Sequence, residues 1–253
     1  MATWIGHLRI TDELLPHFPQ LDRAMFAYGS LAPDFGKPLE DGYTFSPSKE
    51  VSHYTIQPGD RTIVQDLIFY WEFLVDGEVR ADKTRYSFLL GYFFHLVCDG
   101  LWGAWIGQAC KRDFAAMIEE MGEEAWWEMK DDWYGLDVQY ARDHRDSIFW
   151  TEVMKMKALP LFLDYQDQEA VDDQVRRIQK LNSDPPTGLV EREAFPYLSA
   201  ATMDRYISDS VQFLLEYWQL IKAGDIPEEA KSFMEIFPVE RFMPYDPPLG
   251  EED

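Results

Sequence analysis

Residues 88–102, FLLGYFFHLVCDGLW, decide the fold: an apolar run interrupted by one histidine, His95, and one aspartate, Asp99. Read as a helix, the run puts both polar side chains on one face a turn apart, able to reach a common point. A carboxylate among Phe, Leu, Val and Trp stays ionised only if a cation or good hydrogen bonds compensate it. That point is a candidate metal position, and the pair needs partners from elsewhere in the chain. Gly91, inside the run, costs about 1 kcal/mol against Ala in a helix, which points to close packing against a neighbouring helix.

Outward from that run, the chain reads as a series of helices. Towards the N-terminus, Trp4, Ile5, Leu8, Leu14 and Leu15 fit a short helix ending at Pro16, with His7 inside it. Taken alone, His7 reads as a half-buried histidine bonded to a carbonyl. An apolar stretch follows over residues 22–31, and then Ala32-Pro33-Asp34-Phe35-Gly36 sets Asp34 at a constrained turn, where an aspartate ordinarily serves as a cap. Residues 37–49, rich in Gly, Pro and Ser, predict a surface loop or lid, and His53 follows it. Residues 61–75, RTIVQDLIFYWEFLV, predict a deeply buried helix.

On the C-terminal side, residues 111–130 and 133–157 predict two helices. In the second, Asp137 and His144 share a face that is either directed at the same site or simply solvated. Residues 164–181 predict an exposed helix, 183–188 a linker, and 195–222 a long amphipathic helix closing the core. Residues 244–253 predict a loose acidic tail, leaving residues 1–243 as one helical metal-binding domain. With no alternating strand pattern and no internal repeat, the expected fold class is all-α, a single-domain multi-helix bundle.

Composition narrows the function. The 253 residues carry 46 Asp+Glu against 23 Lys+Arg, a formal charge of -23 that disfavours long nucleic acid and anionic surfaces as partners. His95 and Asp99 interrupt the best candidate for a membrane span, and residues 1–13 carry no basic segment followed by an apolar signal core. The expectation is a cytoplasmic protein. Cys98 and Cys110 form neither a disulfide framework nor a Cys-x-x-Cys site, so a metal here is held by His and carboxylate.

Four short pieces stand in order: Trp4-Ile5-Gly6-His7, Gly29-Ser30-Leu31-Ala32-Pro33-Asp34, Ser52-His53, and Gly91-Tyr92-Phe93-Phe94-His95-Leu96-Val97-Cys98-Asp99. Together they resemble the zinc-dependent phospholipase C family, over roughly the first 105 residues. The resemblance implies an all-α fold of the phospholipase C or zinc nuclease type, with a cluster of up to three zinc ions acting on phosphodiester or phosphomonoester bonds. Position by position, it implies that Asp34, His53, His95 and Asp99 enclose one zinc, and that His7 holds another together with the bridging Asp99. The chain departs from the family pattern at three places. The amino-terminal tryptophan of the secreted members corresponds to Trp4, which here follows Met1-Ala2-Thr3. Trp105 stands where the family has a histidine. Its later His-x-x-x-Glu pair has no counterpart, since Ile148 follows His144 at that spacing.

Two imidazoles and two carboxylates suit zinc, with bonds near about 2.0–2.2 Å, though iron or manganese is chemically possible. The expected activity is hydrolysis of a small phosphate ester or lipid headgroup by a metal-activated water, with Asp34 or Asp99 accepting its proton. Tyr54, Tyr92, Trp102 and Trp105 are either pocket walls or plain core. Two alternatives remain: a non-catalytic helical module stabilised by a sealed metal site, or a metal-free hydrogen-bond network inherited from an enzyme.

Overall fold

The computed structural model describes residues 1–39, 44–59 and 62–250. Among the described residues, six helices of nine residues or more carry the architecture: α1 (Trp4–Leu14), α2 (Arg23–Leu31), α3 (Lys83–Trp102), α4 (Glu123–Asp143), α5 (Gln168–Ser183) and α6 (Ala200–Ala223). Among the described residues the only strands are two short antiparallel pairs, β1 (Lys37–Pro38) with β2 (Phe45–Ser46) and β3 (Thr55–Ile56) with β4 (Ile63–Val64). The fold is all-α, as the sequence predicts.

Local chemistry sets the helix ends. Thr3, Asp22, Asp82, Asp167 and Ser199 each accept a hydrogen bond from a backbone N–H two or three residues into the helix that follows, satisfying donors a helix start leaves unpaired. At the far end of α6, Gly224 takes the left-handed conformation that stops a helix. α1 runs into one 3₁₀ turn, Leu15–His17, because Pro16 cannot extend it as an α-helix.

α3 is the hub, buried from Ser87 to Trp102. Its partner is α2, and glycines set their separation. A Cβ on Gly91 would lie 2.3 Å from the Phe26 carbonyl oxygen, and one on Gly29 would lie 1.9 Å from that of Phe88. The helical stretch Lys83–Asp113 is long and apolar enough to cross a membrane by those two measures alone, but 94% of its most apolar window is buried in the protein. Its apolarity serves the core.

Several elements differ from the sequence expectation. Residues 61–75 are not one helix: Ile63 and Val64 form β4, and helical turns start only at Asp66–Phe69, passing into a wider π turn over Tyr70–Leu74. The predicted loop at 37–49 holds the β1–β2 pair, with residues 40–43 outside the described residues. The stretch 133–157 breaks after Asp143. Helix α5 is not simply exposed, because Val171, Gln174, Val175 and Ile178 turn inward at helical spacing. Nor is the described part of 244–253 loose: Tyr245 stacks on Trp105, Leu249 is buried, and the Leu249 carbonyl accepts from the Ser199 N–H.

Candidate metal centre

Four separate elements converge on one point. α1 supplies His7, the turn after α2 supplies Asp34, and the one-turn helix Lys49–Ser52 ends at His53. α3 supplies His95 and Asp99, and close α2–α3 packing brings the turn at Asp34 against that face. All five side chains expected from the sequence are thus brought together.

Asp99 sits at the middle. Its Oδ1 lies 3.3 Å from His7 Nε2, and its Oδ2 lies 3.5 Å from His95 Nε2 and 3.6 Å from His53 Nε2. Asp34 Oδ1 is 3.2 Å from His53 Nε2. The rings of His7 and His95 stack at 3.8 Å with only 9° between their planes. Ligand-type atoms fall into two overlapping triplets, His7-His95-Asp99 and Asp34-His53-His95, each with all its atoms within 4.8 Å of one another.

The backbone fixes which histidine atom faces inward. His95 Nδ1 is 2.8 Å from the Ser30 carbonyl, which can only accept, so Nδ1 carries the proton and a neutral ring presents the bare Nε2 lone pair. Such a second partner is what orients a metal-binding imidazole. His53 Nδ1 is held by the Ser52 hydroxyl at 2.8 Å, and the Ser52 carbonyl accepts from the Tyr92 hydroxyl. One lone pair serves one ion, so His95 belongs to one triplet at a time.

The electrostatics are those of an ionised pair of carboxylates. Burial raises the Asp99 pKa, but the His95 imidazole and then that of His7, both close against its carboxylate, outweigh it and hold Asp99 well below the carboxylate range. At Asp34 burial likewise opposes, and the His53 hydrogen bond with the nearby imidazoles brings the pKa down to about 2. His7 is pushed down to about 4 by burial and then by His95, against the pull of Asp99. For His95, burial is outweighed by Asp99 and Asp34, and its pKa rises.

A divalent ion fits this donor set, and the buried atoms without partners say why. His7 Nε2, His95 Nε2 and Asp99 Oδ2 have no hydrogen-bond partner among the described residues. Buried polar atoms are nearly always paired, and leaving one unpaired costs about 1–3 kcal/mol. Here bare lone pairs face one another, an arrangement that a cation resolves.

Asp99 is also steadied by the Ala2 N–H, which donates to its Oδ1 at 2.9 Å. Asp137 and His144 do not join. Asp137 is buried and accepts from the Thr3 hydroxyl at 2.7 Å and the Ile5 N–H at 3.4 Å, so it caps the start of α1 rather than facing solvent. His144 is exposed and stacks on Tyr140. Trp105, where the resemblance implies a histidine, is core: its ring nitrogen donates to the Arg241 carbonyl at 2.8 Å.

A cavity of about 490 Å³ opens on the centre at Asp34 and His53. Its walls include Trp4, Phe45, Trp127, Trp133 and Tyr134, together with Lys49, Lys130, Gln174 and Arg177. Of the aromatics expected from the sequence, Tyr92, Trp102 and Trp105 are core, and Tyr54 packs partly buried against the core at Phe69 with its hydroxyl on Glu72. Sequence reasoning missed the true walls. One usable signal was the inward spacing of Val171, Val175 and Ile178, which turns the other flank of α5 and Arg177 towards the cavity.

The family model described as zinc-dependent phospholipase C matches residues 6–152. No curated protein and no solved structure shows a significant match to the chain.

Proposed function

The chain belongs to the zinc-dependent phospholipase C family, and from that premise we propose that it is a metal-dependent hydrolase of a small phosphate ester or lipid headgroup. The observation that carries the reading is the set of unpartnered buried atoms, His7 Nε2, His95 Nε2 and Asp99 Oδ2, lying beside a cavity. Asp34, His53, His95 and Asp99 would hold one zinc, with iron or manganese as chemical alternatives, and His7 with Asp99 Oδ1 offers a second, sparser position. Zinc there supplies Lewis acidity, polarising a phosphoryl oxygen and easing deprotonation of a water.

The chain's own residues do the rest. Among the described residues Asp34 is the one carboxylate on the cavity wall, so it is the group placed to take a proton from a water entering that way. With its pKa near 2 it stays ionised across the working range, a ready acceptor though a weak base. The water oxygen bonds to phosphorus as the ester P–O bond breaks, the proton taken up by Asp34 passes to the leaving alcohol, and the water's second proton stays on the product phosphate. The Ser30 carbonyl and the Ser52 hydroxyl keep the two imidazoles aimed during this exchange. A sealed structural site would show no such cavity against its ligands, which favours the enzyme over the metal-stabilised module.

The test is elemental analysis of protein purified without added metal, together with hydrolysis of a panel of phosphate esters before and after chelation. About one or two equivalents of zinc and chelator-sensitive hydrolysis are expected. Metal bound with no hydrolysis of any ester would favour the module, and no metal would leave only the inherited network.

A further inference from the structure

The protein has twice as many acids as bases, 46 against 23, yet three cations line the cavity over the metal centre. Lys49 comes from the one-turn helix before His53, Lys130 from α4 and Arg177 from α5. Asp34 is the only acid lining the cavity among the described residues. Among the described residues, no carboxylate lies within ion-pair distance of any of the three. Lys49 Nζ has only the Met1 sulfur among the described residues, at 3.1 Å.

Two of these cations already occupy aromatic faces. Lys130 Nζ sits 4.2 Å from the ring centre of Trp127, and the Arg177 guanidinium lies 5.8 Å from that of Trp4. A quaternary ammonium is bound by free aromatic faces, usually with a carboxylate nearby. Here the faces of Trp127 and Trp4 hold the protein's own positive charges, and a cationic headgroup would meet like charge there instead. Lys130 is also partly desolvated: burial and the neighbouring Lys49 lower its pKa, against the pull of Asp34. A charge so placed gains most from an incoming anion. Gln174 and Trp133, both buried on the cavity wall, each keep one polar atom, Oε1 and Nε1, without a partner among the described residues.

We propose that Lys49, Lys130 and Arg177 form an anion-selecting rim, and that the substrate is a phosphate ester carrying at least two negative charges on an apolar or ring-bearing body, rather than one with a cationic headgroup. A phosphomonoester is the simplest member of that class. Its ring or chain lies against Phe45, Trp133 and Tyr134 while the dianion spans the metal centre and the rim. The local field of the three cations thereby overrides the repulsion that the net charge of -23 exerts at a distance. The proposal rests on the phosphoesterase reading for the reacting atoms but not for the rim itself.

Two chromogenic esters with the same leaving group separate the alternatives: p-nitrophenyl phosphate, a dianion, and p-nitrophenylphosphorylcholine, which carries a quaternary ammonium. Zinc-loaded wild type is expected to favour the first. Lys130→Gln is expected to lower kcat/KM for it about tenfold, chiefly through KM, since a charge-assisted hydrogen bond is among the stronger polar contacts. Turnover of the choline ester should stay level or rise. Lys222→Gln, exposed at the end of α6, should change neither. Calorimetric titration of metal-free protein with 1-naphthyl phosphate gives a readout independent of catalysis, and Lys130→Gln/Arg177→Gln should weaken binding by more than Lys130→Gln alone. Wild-type preference for the choline ester, or naphthyl phosphate binding unchanged in the double variant, overturns the proposal while leaving the hydrolase standing. If neither ester is hydrolysed yet naphthyl phosphate binding still depends on the rim, the hydrolase reading fails and the anion rim survives.

Discussion

Asp66 and Asp99 are both aspartates sealed among aromatic residues, and their surroundings treat them in opposite ways. Asp66 is met by donors: the Tyr217 hydroxyl at 2.8 Å and the Phe233 N–H at 3.0 Å, one oxygen each. It ties the helical turn after β4 to α6 and to the segment beyond it. Burial dominates and lifts its pKa to about 7. Asp99 is met chiefly by imidazoles, with one backbone N–H on Oδ1 and nothing on Oδ2, and its pKa moves the other way. Equal burial therefore does not mean an equal role. A completed donor shell makes a structural latch, whereas lone pairs left facing one another make a site that needs a cation.

Removing the imidazole at the heart of the centre breaks the comparison most severely. Loss of an outer partner already costs about 10–100-fold in metal affinity, so His95→Ala is expected to exceed that and to lose phosphoesterase activity in parallel. Mass-spectrometric metal analysis checks it, and full retention of metal would refute the ligand assignment. Asp66→Ala should do the reverse. It strands the Tyr217 hydroxyl and the Phe233 N–H and destabilises by about 3 kcal/mol, with metal content unchanged. Denaturant titration beside metal analysis reads both quantities.

pH sharpens the same contrast. The folded pKa of Asp66 lies above its unfolded value of 3.8, so the folded state binds the proton more tightly. Its stabilisation is complete below about pH 4 and is lost as pH rises towards 7, by at most about 1.4 kcal/mol per pH unit. Asp137, also raised to about 7, acts in the same direction. Asp34, Asp99 and His7 are depressed and act oppositely, their contribution fading as pH falls. In metal-free protein, Asp66→Asn should flatten the alkaline loss between pH 4 and 7 relative to wild type. Parallel stability curves for the two would contradict the latch.

How much of this was legible in the sequence follows from range. The His95–Asp99 pair is a local pattern, one helical turn read from one run, and Gly91 announced a close neighbour before α2 was known. Asp34 and His53 became legible only through a resemblance, because a turn aspartate and a loop histidine have no periodicity to mark them. The cavity walls were illegible for the same reason: Lys130 and Arg177 lie 47 positions apart on α4 and α5, and nothing local relates them. Asp66 was hidden inside a run read as one helix, although a polar residue beginning helical turns after Ile63-Val64 is what a chain leaving a strand would show. The final segment looked loose because Pro244, Pro247 and Pro248 dominate it, yet Tyr245 and Leu249 are enough to anchor it.

The smallest expected effect concerns His144, whose spacing from Asp137 suggested a shared face. Seven residues make nearly two helical turns, but α4 stops at Asp143, and His144 is the residue that ends it rather than one that continues its face. Among the described residues its Nδ1 reaches only the Tyr140 carbonyl at 3.0 Å and its ring only Tyr140, both at the surface. His144→Gln should therefore shift stability by no more than about 0.5 kcal/mol and leave bound metal and hydrolysis as in wild type. A measurable loss of zinc in that variant would mean that a fourth histidine reaches the cluster in solution. The division between a centre built from α1, the turn after α2, the loop before β3 and α3, and a helix α4 that supplies only cavity wall and the Asp137 cap, would then fail.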